Sequence, residues 1–147
     1  METASEEPAR LFAEAITRGD VDAAVAVCHP RVEFHSMLDI SGRFYRGHDG
    51  IRRYMDDVAS AWDEWRVEVD RITEGPDGRV LIVMTMHARG KGSGVSLAEC
   101  TAHIWTVDEG KLLRNEAFRE PEQAVRALGL PAAPASRPPA ARHADAD

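Results

Sequence analysis

Two imidazoles and one carboxamide are the groups of this chain best suited to chemistry, since His35, His103 and Asn115 all lie in stretches that read as strand. An imidazole with its ordinary pKa near 6.5 exchanges protons at neutral pH, and a carboxamide N–H can donate to a carbonyl oxygen. The other reactive groups read as structural. His29 and His48 fall in separate loops with no third ligand in phase, and Cys28 and Cys100 fit no metal spacing, so no metal and no cofactor are expected. His87 shares a strand phase with Thr85 and Arg89, which puts it on a wet or interface face. Glu99 and Glu116 suit cross-strand pairing with arginine, and Asp56-Asp57 reads as the solvated side of a helix. The run Arg-Gly-Lys-Gly-Ser-Gly at 89–94 has the composition of a phosphate loop. It joins two strands instead of opening a helix, so it lacks the N–H cradle that phosphate needs.

The elements that must position these groups fall in two blocks. From about Pro8 to Trp62 the chain is mostly helical, and from Asp63 to Arg119 it is almost continuously strand-like. Leu11, Phe12, Ala15 and Ile16 form one helical stripe that Gly19 stops. Asp20 is suited to cap a second helix, Val21 to Cys28, ended by His29-Pro30. Arg31–Met37 reads as a short strand, followed by a loop with Gly42. A third helix from Gly50 to about Trp62 carries Ile51, Tyr54, Met55 and Val58 on one side. In the strand block, Trp65, Val67 and Val69 alternate with charged residues, as in a strand with one wet face. Val80–Met86 is apolar at nearly every position, which predicts a central strand covered on both faces. Leu97–Thr106 and Lys111–Arg119 complete the meander, and Pro121 opens a last helix ended by Gly129. A meander that follows amphipathic helices must wrap around them to bury their stripes. The expected fold is α+β: a cone-shaped, curved antiparallel sheet around three N-terminal helices, with a short C-terminal helix.

The 147 residues suit one domain, expected over 8–130 between a disordered 1–7 and a disordered Pro/Ala-rich tail at 131–147. Eighteen basic against 25 acidic residues, a net charge of −7, argue against nucleic acid and against an anionic membrane as partner. No run approaches the roughly 20 apolar residues of a membrane span. The acidic N-terminus and sparse cysteine point to the cytoplasm.

Five short motifs in order carry a resemblance. They are Thr17-Arg18-Gly19-Asp20 closing helix 1, His29-Pro30 before a strand, and Tyr45-Arg46-Gly47-His48-Asp49-Gly50-Ile51 before helix 3. Gly110-Lys111-Leu112-Leu113-Arg114 opens the last strand, and Ala124 with Leu128-Gly129-Leu130 closes the domain. Over about residues 8–130 the chain resembles the SnoaL-like and ketosteroid-isomerase-like branch of the nuclear transport factor 2-like superfamily. The resemblance implies a cofactor-independent pocket protein, but the fold hosts isomerases, cyclases, epoxide hydrolases and non-catalytic binders.

Set against those chemistries, the family's acids are missing. The base of a ketosteroid isomerase would fall at Phe34 or, one residue on, at His35; its partner acid falls near Ala102. One aspartate of the limonene-type epoxide hydrolases falls at Ala117. With Ala117 facing inward, alternation turns Asn115 and Arg119 inward too. With Ala102 inward, His103 falls outside alongside Thr101 and Trp105, though a one-residue slip reverses this, so His103 stays a reserve candidate. Phe12, Phe34, Tyr54 and Trp62 would face Met84, Met86, Ala102, Cys100 and Ile104 across a cavity for a flat, apolar ligand. Thr101, His103, Trp105 and Phe118 on the opposite face would suit a homodimer through the sheet. Two functions stay open. One is an isomerase or cyclase acting by proton transfer on an apolar carbonyl-containing metabolite, with His35 as base and Asn115 as donor. The other is a non-catalytic ligand-binding or dimerising domain that has lost the acids.

Overall fold

Helical stripes and alternating runs resolve, in a computed structural model that describes residues 2–36 and 44–131, into four helices and six strands. The helices are α1 (Glu6–Arg18), α2 (Val21–Ala26), α3 (Gly47–Ala61) and α4 (Pro121–Leu128). The strands are β1 (Cys28–Phe34), β2 (Tyr45–Arg46), β3 (Trp62–Glu74), β4 (Val80–Gly90), β5 (Ser96–Asp108) and β6 (Lys111–Phe118). The α+β plan of three helices, a curved sheet and a closing helix is present. Met37, Gly42 and the tail beyond Pro131, to which the sequence assigned a strand end, a loop and disorder, lie outside the described residues.

Local chemistry explains where the elements begin. Helix α1 starts at Glu6, two residues before Pro8. There the Glu6 N–H donates to Thr3 Oγ1 at 3.1 Å while Thr3 N–H donates to Glu6 Oε1 at 3.0 Å, a reciprocal capping pair. Asp20 caps α2 as expected, its Oδ1 accepting from Ala23 N–H at 3.1 Å. His29-Pro30 lies inside β1 instead of ahead of it. Pro30 has no N–H to give, and the ladder to β6 breaks between Cys28 and Glu33.

The sheet order is β2-β1-β6-β5-β4-β3, antiparallel from β3 through β6. Strand β1 joins β6 in parallel and β2 joins β1 antiparallel, so the sheet is mixed. Register shifts at Trp62/Glu64 and Val69/Arg71 bend β3, as bulges do.

Two apolar layers sit on the two faces. On the concave face Phe12, Ala13, Ile51, Tyr54 and Phe34 pack against Val80, Ile82, Met84 and Trp105. On the convex face Leu81, Ala102 and Ile104 are buried under Ala124, Val125 and Leu128 of α4. Strand β3 is one edge of the sheet, and α1, on the concave side, meets it with side-chain bonds. Thr17 Oγ1 accepts from Val67 N–H at 2.9 Å and donates to Val67 O at 3.3 Å, while Glu6 Oε2 accepts from Glu74 N–H at 2.9 Å. Among the described residues no helix is long and apolar enough to cross a membrane.

Candidate functional site

The concave layer does not close completely. A cavity of about 50 Å³ remains between α1, α3 and the sheet, walled by residues that include Phe12, Phe34, Tyr54, Trp65, Met84, Met86, Thr101, His103 and Trp105. Ala9 and Ala13, one turn apart on α1, leave the space that larger side chains would fill. Aromatic rings meet around Phe34 at the end of β1. Its centroid lies 4.7 Å from Tyr54, 5.5 Å from Phe12 and 5.8 Å from Trp105, and the His103 ring stacks parallel to it at 6.1 Å.

His103 is a buried titratable group of this wall, 7% exposed on the central part of β5. Burial, and secondarily the nearby His35, push its pKa down to about 4, so the ring is neutral at pH 7. Burial likewise raises the Tyr54 hydroxyl well above its ordinary range. Asn115, 2% exposed on β6, links the two histidines. Its Oδ1 accepts from His35 N–H at 2.7 Å, and its Nδ2 donates to His35 O at 3.0 Å and to His103 Nδ1 at 2.6 Å. The indole N–H of Trp65 is buried without a hydrogen bond among the described residues, although the Tyr54 hydroxyl is its electrostatic neighbour.

Phe12, Phe34, Tyr54, Met84 and Met86 take the wall positions that the sequence assigned them. The face of β5 is the correction. His103, Thr101 and Trp105 point inward, whereas Ala102 and Ile104 point to α4 and Cys100 is exposed. The register pairs His103 with Ile82 and Ala117, and Ile82 is itself a wall residue. Three of the four residues that argued for pairing through the outer face are thus interior; Phe118 is half-buried beside the α4 cluster. Trp62 opens β3 and packs on the wall residue Trp65 at 5.6 Å without lining the cavity itself. Arg119 follows the last residue of β6 and is exposed. Its in-phase position is therefore past the point where the strand would aim it inward.

His35 stands just after β1, with its ring stacked on Phe44 at 4.8 Å and off the cavity wall. Asn115 does not reach a ligand with its amide, because both of its nitrogen-borne hydrogens and its oxygen are engaged by the histidines. Residues that the sequence reading left out of the pocket are Thr101 and Trp105, through the β5 slip, and Ala9, Ala13, Ser36, Trp65 and Val67. For Trp65 and Val67 the signal was present in the β3 alternation.

The remaining reactive groups are tied down. His48 Nε2 donates to Cys28 O at 2.8 Å, which joins α3 to β1. His29, Asp108 and Glu109 bring three potential metal ligands together at the surface. The Arg31 N–H, however, donates to His29 Nδ1 at 3.0 Å, which leaves only Nε2, 3.5 Å from Asp108 Oδ2, for another partner. With one ring nitrogen already engaged, this cluster is a poor cation site. Among the described wall residues none is a carboxylate.

A family model, the SnoaL-like domain, matches residues 9–115. No functionally curated protein matches the chain in sequence. Similar solved structures include a nuclear transport factor 2-like protein from Burkholderia thailandensis, 26% identical with a TM-score of 0.69, covering 86% of this chain and 98% of that one. TerC crystallised with polyporic acid is 22% identical with a TM-score of 0.70, again covering 86% and 98%. A polyketide cyclase candidate from Pseudomonas putida is 16% identical with a TM-score of 0.67, covering 88% and 99%.

Proposed function

The chain belongs to the SnoaL-like domain family, in the nuclear transport factor 2-like superfamily of small-molecule-binding folds, and from that premise we propose that its cavity receives a flat, largely apolar metabolite through a carbonyl oxygen. One observation carries this reading: a buried, neutral imidazole, His103, is set in a wall of aromatic and aliphatic side chains. A neutral N–H in a low-dielectric wall favours an uncharged acceptor and disfavours a carboxylic acid or amine left unpaired there. Met84 and Met86, the flexible members of the wall, can shift to enlarge a cavity of about 50 Å³ around a ligand of metabolite size. TerC, of similar fold, was crystallised with polyporic acid, which supports a small organic guest.

The wall supports binding more than it supports turnover. Proton transfer needs a base, and the end of β1 presents Phe34. His35 favours a second reading, an isomerase or cyclase, because it is close enough to His103 to perturb its titration. Thermal shift combined with mass analysis separates the two readings. The panel holds steroid enones, aromatic polyketides and naphthoquinones, tested on the wild type, His103→Phe and His35→Ala. Stabilisation of the wild type that His103→Phe weakens about fivefold or more, without conversion, is the expected result. Conversion by the wild type that His35→Ala abolishes would move the protein to the enzyme class. No stabilisation by any carbonyl compound would overturn the carbonyl reading.

A further inference from the structure

The three bonds of Asn115 fix more than a loop. His35 N–H can only donate and His35 C=O can only accept, so the Asn115 amide has one orientation: oxygen toward the N–H, nitrogen toward the carbonyl. Flipping it would set donor against donor and acceptor against acceptor at once. With one amide hydrogen on His35 O, the other points at His103 Nδ1, 2.6 Å away. Nδ1 therefore accepts, and a neutral ring must carry its proton on Nε2. The alternative tautomer would put N–H against N–H in a buried site, and an imidazolium would do the same.

We infer that Asn115 is a positioning residue that holds His103 as an Nε2–H donor, so that the cavity takes an acceptor oxygen, the carbonyl of a ketone or quinone or the oxygen of its enolate. The inference rests on the carbonyl-ligand reading and adds its chemical rule: His103 gives a hydrogen bond and does not abstract a proton. A second N–H borders the same wall, since the Trp65 indole is buried there with the Tyr54 hydroxyl as its neighbour. Asn115 joins the backbone of His35 to the ring of His103, so its orientation is set by main chain that no ligand needs to move. The sequence reading had this residue as a direct donor to the ligand; the bonds make it the residue that decides which histidine nitrogen is the donor.

The experiment is nitrogen NMR of the imidazole rings in the wild type and in Asn115→Asp. A pair of flat probes, fluorenone and fluorene, which differ by one carbonyl, is titrated into both proteins. The expected wild-type signature is a protonated Nε2 and a bare Nδ1 on His103. Asn115→Asp still accepts from His35 N–H but offers His103 an acceptor, so the proton should move to Nδ1. The wild type should prefer fluorenone about five- to tenfold, the worth of one neutral hydrogen bond, and the variant should lose that preference. A wild-type His103 protonated on Nδ1, or a variant with an unchanged tautomer, would overturn the positioning role. The expected tautomer with no preference between the probes would uphold Asn115 in its role and overturn the carbonyl reading. Should Asn115→Asp fail to fold, the wild-type ring signals decide the positioning role alone.

Discussion

Burial of His103 beneath Phe34 has a cost that depends on pH. The folded pKa is depressed to about 4 from an ordinary 6.5, so between those values the unfolded chain binds a proton that the folded chain refuses. Stability is thus unaffected above about pH 6.5 and falls as pH drops toward 4, by roughly 3 kcal/mol at most for a shift of that size. Urea unfolding of the wild type and of His103→Gln at pH 7 and pH 4.5 checks this. The wild type should lose more stability than the variant; equal losses would mean that the ring charges freely in the fold. At this scale the sequence was readable in kind and not in role. His103 and Asn115 were visible as the unusual polar residues of two strands, but which nitrogen donates depends on a main-chain contact 80 positions away, between Asn115 and His35. No spacing encodes that.

At the scale of elements, α4 is fastened to the sheet by a small residue. A Cβ built on Gly75 would meet Leu128 Cγ at 2.6 Å, so the turn after β3 approaches the helix as closely as backbone can. Gly75→Ala should push Leu128 out of the convex cluster and cost about 1–3 kcal/mol, read as a lower urea midpoint. An unchanged midpoint would show that Leu128 turns aside without loss. The same helix explains why β5 was misread. Where a strand has one wet face, alternation fixes the register; β6, with exposed Arg114 and Glu116, was placed correctly with Asn115 inward. Residues 101–105 of β5 are buried throughout, because the cavity lies on one side and α4 on the other. Their sequence has no wet phase to reveal which side is which.

For the whole molecule, the cavity is stability forgone. Ala13 stands on its wall at 4% exposure, opposite the sheet. Ala13→Leu adds three carbons to a space of about 50 Å³ and should raise the melting temperature by a few degrees while abolishing binding of any ligand found for the wild type. A lower melting temperature would mean that the space is too narrow or too rigid to fill. The helix that carries Ala13 also shields the last strand of an open sheet. Thr17 and Glu6 occupy main-chain groups of β3 that another extended chain would otherwise pair with. Those two side chains therefore guard against self-templated growth. If α1 lifts, even briefly, the thirteen residues of β3 become a template onto which a second molecule can add its own strand, and colloidal stability at high concentration is decided at Thr17 before the sheet itself unfolds.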